Sequence, residues 1–295
     1  LGFDYSINPY RGCEHGCVYC YARPSHEYLG FSAGLDFESR IMVKPDAAKL
    51  LQAELSKRSW VPQYIMMSGN TDCYQPVERK LEITRQCLKV FLDFRNPVGI
   101  VTKNALIQRD IDILKELAAL DLVSVAVSLT TLNRELSRKL EPRTSVPLKR
   151  LETIRKLTDA GVKVTVLTAP VIPGLNDEEL PALLKASAKS GAVSAGIIML
   201  RLPLAVKELF IDWINRNYPE KSTKIINRIM DVRRGKLSSS EFKERMKGSG
   251  KYAEHIHSLF KTCCNKYGLN KTKFRTRTDL FRIPVELKHQ TELFL

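Results

Sequence analysis

Six short apolar runs recur along the chain: Ser6-Ile7, Tyr64 to Met67, Val98 to Val101, Val123 to Leu129, Val162 to Leu167 and Gly196 to Leu200. Between them lie stretches whose apolar residues keep helical spacing: Ala47 to Leu55, Glu78 to Phe94, Asp110 to Leu120, Leu148 to Ala160 and Glu178 to Ser190. Alternation of this kind predicts parallel strands, because the return from one parallel strand to the next needs a crossover long enough to hold a helix. Near-continuous apolar strands predict a sheet covered on both faces. The fold class expected is α/β, a partial (β/α)6 barrel of TIM type. Pro45-Asp46 and Asn176-Asp177 mark helix starts, and Gly161 and Gly191 mark helix ends. From about residue 205 strand signals stop, while helical spacing continues in Lys207 to Asn217, Thr223 to Arg233 and Tyr252 to Tyr267. The chain therefore divides into a barrel core, 1–203, and a basic helical extension, 204–295.

The chain has 295 residues, 44% of them hydrophobic and 27% charged, which excludes a disordered or low-complexity protein. Its net charge of +15 is localised, since Lys221 to Gln290 hold 18 basic and 6 acidic residues. Such an excess suits an anionic partner, nucleic acid above all. No window reaches the roughly 18 to 20 apolar residues of a membrane span. Leu1-Gly2-Phe3-Asp4 lacks the basic and apolar regions of a secretory leader, so a cytoplasmic protein is expected.

Three of seven cysteines crowd into Cys13-Glu14-His15-Gly16-Cys17-Val18-Tyr19-Cys20, a C-x3-C-x2-C spacing in a loop that follows the first strand. Gly12 and Gly16 permit the turns that aim successive sulfurs at one centre. Three thiolates on a 4Fe-4S cluster, which ordinarily takes four, leave one iron open to a small molecule. Zinc completed by His15 or the distant Cys73 is the alternative, although structural zinc ligands usually fall into two separated pairs.

Cys13, Cys17 and Cys20, with Tyr19 before the last, resemble the signature of the radical S-adenosylmethionine (radical SAM) superfamily. The tract Cys17-Val18-Tyr19-Cys20-Tyr21-Ala22-Arg23-Pro24 is similar to the branch that holds spore photoproduct lyase and DNA repair photolyase-like proteins. That resemblance, over roughly residues 3 to 203, implies S-adenosyl-L-methionine (SAM) on the open iron and its reductive cleavage to a 5′-deoxyadenosyl radical. It also implies a one-electron donor such as flavodoxin or ferredoxin. By the same resemblance the turn Ser68-Gly69-Asn70 would meet the SAM ammonium, Lys103 its carboxylate, and Ser128 its ribose or carboxylate. Arg143 would be a second anion contact, and Tyr19 would line the cofactor site. The turn departs from the family's Gly-Gly-Glu pattern, and Gly69 stands where spore photoproduct lyase aligns its hydrogen-donating cysteine.

Tyr19, Tyr21, Cys73 and Tyr74 are the candidates to supply or relay hydrogen atoms, since thiol and phenol X–H bonds can quench carbon radicals. Lys271 to Thr278 alternates cations with small polar and aromatic residues, as a phosphate-contacting strip would. Gln290 to Phe294 resembles the short peptide that docks on the bacterial sliding clamp. Nucleic acid is the first substrate class, with a protein or small acidic substrate second. A non-catalytic, zinc-containing nucleic-acid-binding protein is a reading of another class.

Overall fold

The computed structural model describes residues 3–239, 241, 244–271 and 276–285. Its centre is a six-stranded parallel sheet in the order β1 (Tyr5–Ile7), β4 (Ile65–Met67), β5 (Val98–Thr102), β6 (Val123–Ser128), β7 (Val164–Val171) and β8 (Ser194–Met199). Every neighbouring pair is parallel, from Tyr5 opposite Ile65 at one edge to Thr165 opposite Ser194 at the other. Helices Ala47–Leu55, Ile83–Phe94, Ile111–Ala119, Pro147–Asp159 and Leu180–Lys189 fill the connections. The fold is thus the α/β partial barrel that the alternation predicts. Its core is built from strand residues such as Ile65, Met67, Ile100, Val125 and Val166 against Leu88, Phe91, Leu114 and Leu184 of the helices.

Three local features depart from this pattern. The stretch Glu78 to Phe94 is two helices, Glu78–Leu81 and Ile83–Phe94, broken at Glu82 with φ +52°. The buried Glu78 carboxylate accepts the Thr84 backbone N–H at 3.0 Å, which caps the second helix from the side. Strand β7 runs on past Leu167, where its apolar run ends in the sequence, through Ala169 and Pro170 to Val171, with a register shift against β8 between Thr168 and Val171. A small antiparallel pair, β2 (Tyr10–Arg11) with β3 (Met42–Val43), brackets the start of the cysteine loop. Gly161 and Gly191 end helices at φ +85° and +99°, as expected, whereas Asp46 makes no side-chain cap.

Beyond β8 come helices Val206–Asn217, Pro219–Asp231, Glu244–Lys247 and Gly250–Tyr267. Buried residues Val206, Phe210, Trp213 and Ile214 keep the spacing of one helix face. They form a second apolar cluster with Ile225, Ile229, Leu136, Leu140, Cys17 and Tyr19. Each large side chain buried there contributes about 1.5 to 3 kcal/mol. The extension therefore packs against the cysteine loop itself, while Ala253, Ile256, Cys263 and Cys264 of the last helix join the barrel core. No helix among the described residues is long and apolar enough to cross a membrane.

Candidate active site

The cysteine loop leaves β2 and crosses the C-terminal ends of the strands, where side chains from several strands converge. Gly12 and Gly16 turn it with φ +86° and +65°. A methyl group on Gly16 would collide with the Arg143 guanidinium and the Glu38 carboxylate. Backbone bonds fix the loop on both flanks, from Cys13 N–H to the Phe37 carbonyl at 2.9 Å and from Val18 N–H to the Leu140 carbonyl at 3.1 Å. Gln75 receives the Glu14 N–H at 2.9 Å and donates to the Gly12 carbonyl at 3.1 Å. Arg23, buried behind the loop, donates to the carbonyls of Cys17, Ala33 and Gly34 at 2.9 to 3.0 Å and pairs with Glu38.

Cys13 and Cys17 are buried and Cys20 is half-buried. Burial pushes the Cys13 thiol well up, helped by Asp72, Cys20 and Cys17, and pushes Cys17 up to about 12 despite the Lys103 ammonium. Ligation to a cationic centre would favour the thiolates that burial disfavours. The donors proposed to complete a zinc site are committed elsewhere. His15 lies 3.4 Å from the Asp72 carboxylate through Nδ1 and 3.1 Å from the Asn104 amide through Nε2. Cys73 is wholly enclosed. Among the described residues no three His, Cys, Asp or Glu side chains are grouped for a single ion. Cys13, Cys17 and Cys20 are free thiols, close enough that Cys20 helps raise the pKa of the other two, and they are the donor type an iron–sulfur cluster takes.

Beneath the loop lies a buried polar network. The Glu141 carboxylate accepts from Tyr19, from Thr130 Oγ1 at 2.6 Å, and from Arg150, itself fully enclosed. Arg150 also donates to the carbonyls of Ser145 at 2.6 Å and Ser128 at 3.0 Å. Burial pushes the Glu141 carboxyl up, but Arg150 and Lys103 outweigh it and hold it below its ordinary value. Lys103, at the end of β5, has its ammonium 5.9 Å from the Tyr19 ring centroid. Burial pulls that ammonium down, while Cys17 and Glu141 more than offset it, so it stays charged above its ordinary range. Among the described residues it has no direct carboxylate partner. It is a held cation facing the cysteine loop.

The turn after β4 reaches the loop from the other side. Ser68 takes φ +72° and its hydroxyl accepts the Cys73 N–H at 2.8 Å, while the side-chain oxygen of Asn8 receives the Asn70 N–H at 2.9 Å. The half-exposed Tyr21 donates its phenol to the Gly69 carbonyl at 2.6 Å. Cys13, Cys17, Cys20, Tyr19, Tyr21, Ser68, Gly69, Asn70 and Lys103 are thereby gathered at one mouth.

Four expected site residues are placed otherwise. Arg143 pairs with Glu38 and donates to the Glu14 carbonyl, so it clamps the cysteine loop instead of offering a free cation. Ser128 is buried, its hydroxyl donating to the Ala169 carbonyl at 3.2 Å. Cys73 and Tyr74 are fully buried in the hydrophobic core, with the Tyr74 phenol donating to Asp110 at 3.1 Å. Residues that sequence patterning did not single out, Asp72, Asn104, Thr130, Glu141 and Arg150, do the supporting. Asp72 links Thr102, Lys103 N–H and Tyr74 N–H at 2.8 to 2.9 Å.

A clustered trio of cysteines at the mouth of a parallel partial barrel, with a cation beside it, suits an iron–sulfur cluster next to a small cofactor that carries a carboxylate. A family model for the Radical SAM superfamily matches residues 7–186. The chain belongs to that superfamily and is a radical SAM enzyme, whose cofactors are a 4Fe-4S cluster and SAM. An uncharacterized protein of Mycobacterium tuberculosis is 36% identical over 250 residues, 84% of this chain and 72% of that protein. An uncharacterized protein of Methanocaldococcus jannaschii is 30% identical over 178 residues, 60% of this chain and 64% of that one. Among solved structures, a spore photoproduct lyase variant with bound AdoMet and dinucleoside spore photoproduct aligns with TM-score 0.63 at 17% identity, covering 90% of this chain and 74% of that chain.

Proposed function

We propose that this enzyme acts on nucleic acid, using a SAM-derived radical to take a hydrogen atom from a base or sugar at a lesion. When bound and reduced by an external donor, the cluster would supply the one electron that cleaves the sulfonium C–S bond of SAM to methionine and a 5′-deoxyadenosyl radical. Cys13, Cys17 and Cys20 would hold the cluster. Lys103 would hold the cofactor carboxylate, and the Ser68-Gly69-Asn70 turn would offer carbonyl oxygen to its ammonium. Tyr19 shields the cluster loop, and Tyr21 stands at the mouth where substrate enters. The observation that carries the reading is the three-cysteine loop beside the Lys103 ammonium, which among the described residues has no direct carboxylate partner, at the strand ends. Nucleic acid as substrate is supported by the +15 charge and by the shared fold with a lyase that binds a dinucleoside photoproduct. The sliding-clamp peptide Gln290 to Phe294 lies outside the described residues, as do residues 272–275 of the basic strip. Of that strip, Arg277 is paired with Asp279.

The test is anaerobic turnover of reduced, reconstituted protein with SAM and damaged oligonucleotides in deuterated water. Wild-type protein is expected to make 5′-deoxyadenosine and an altered oligonucleotide, and Cys17→Ala neither. Equal 5′-deoxyadenosine from both proteins refutes the radical chemistry. Vigorous SAM cleavage that never alters any oligonucleotide refutes the substrate class.

A further inference from the structure

Two cations without a carboxylate partner among the described residues flank Tyr21, and on the reading above the cofactor's carboxylate would take only one of them, Lys103. The other is Arg201, two residues beyond β8 at the same mouth. Its guanidinium lies 5.2 Å from the Tyr21 ring centroid, and its hydrogen-bond partner is a weak one, Met246 Sδ at 3.5 Å. The setting is built rather than accidental. Arg233, buried, donates to the carbonyls of Leu200 at 2.5 Å, Glu244 at 2.7 Å and Arg245 at 3.1 Å, which ties the Glu244–Lys247 helix against the end of β8. Arg245 is close enough to act with burial in lowering the Arg201 pKa.

A half-buried guanidinium that sits beside another cation and, among the described residues, has no carboxylate partner is destabilised until an anion binds it. We infer that Arg201 receives a phosphodiester of the substrate, with the Tyr21 ring beside it as the wall against which the adjoining base lies. This rests on the nucleic-acid reading above and gives it a residue. A guanidinium fork matches phosphate and carboxylate alike. The phosphodiester is favoured by the chain's net charge of +15, which suits a polyanion, and by the half-exposed aromatic face beside Arg201, which suits stacking. Arg201 is a specificity residue, placed on the substrate side of the cluster loop.

The experiment measures binding of a short fluorescein-labelled single-stranded oligonucleotide to reconstituted protein by anisotropy, across salt from about 50 to 200 mM. Arg201→Ala is expected to weaken binding about tenfold and to make the slope of log affinity against log salt shallower by about 0.7, the loss of one phosphate contact. Arg201→Lys should restore the slope but not the full affinity. Arg216→Ala, on the exposed face of the Val206–Asn217 helix, should match wild type. Cluster absorbance and melting temperature establish that each variant folds. Wild-type affinity and slope in Arg201→Ala would overturn the inference, as would absence of saturable oligonucleotide binding. A glutamate-rich peptide that loses more affinity than the oligonucleotide would instead make the anion a carboxylate and overturn it too. Formation of 5′-deoxyadenosine by wild-type protein is scored separately, so failure of this inference and failure of the radical reading are distinguishable.

Discussion

Replacing Arg150 by methionine removes a guanidinium and leaves the Glu141 carboxylate enclosed with no cation bound to it. Both side chains are about 1% exposed, and the guanidinium also serves the Ser128 and Ser145 carbonyls. Removing one partner of such a buried pair costs about 3 to 5 kcal/mol, because the remaining charge stays desolvated. An unfolding entropy of about 2.1 cal/mol/K per residue, over 295 residues, amounts to about 0.6 kcal/mol/K. The melting temperature should therefore fall by about 5 to 8 °C, read by circular dichroism under anaerobic conditions. Glu141→Gln should also destabilise, by stranding Arg150 and weakening the hold on Tyr19, and the double variant should lose less than the two single losses added. Arg150 and Lys103 hold the folded carboxyl below its ordinary value, so its contribution is complete above the unfolded pKa and fades as pH falls toward the folded one. The melting gap between wild type and Glu141→Gln is thus full at neutral pH and closes below about pH 4.3. A shift under about 2 °C for Arg150→Met, or a gap that widens in acid, would refute this reasoning.

Gly16→Ala, which drives a methyl group into Arg143 and Glu38 at a positive φ, should cut iron bound after reconstitution by at least half; full loading contradicts it. Lys103→Met should weaken SAM binding about ten- to a hundredfold, seen as loss of the SAM-induced change in the cluster's electron paramagnetic resonance spectrum. Cys73→Ala should lower the melting temperature by a few degrees through lost core packing and leave the solvent-deuterium content of the product as in wild type; a changed label would make the buried thiol a hydrogen donor after all.

The strand and helix alternation was legible because a period of 3.6 and a short apolar run are local signals. The break at Glu82 was not, since it depends on Glu78 meeting Tyr10 and Arg109 far along the chain. Strands β2 and β3, two residues each, are too short to leave a pattern. The cysteine loop was legible because three ligands for one centre sit within eight residues. Glu141 and Arg150 left no signal in the sequence, because only the fold brings them under Tyr19, more than a hundred residues away. Arg143 misleads for the opposite reason. A lone arginine in a loop looks available until Glu38, on a short helix elsewhere in sequence, is seen to claim it.

Iron-57 Mössbauer spectroscopy of the reconstituted protein, recorded with and without SAM, asks most directly whether three cysteines hold a cluster with a vacant corner. One quarter of the iron signal should move when SAM is added, and the rest should stay. A spectrum that SAM leaves unchanged, or a site filled by zinc in place of iron, would contradict it.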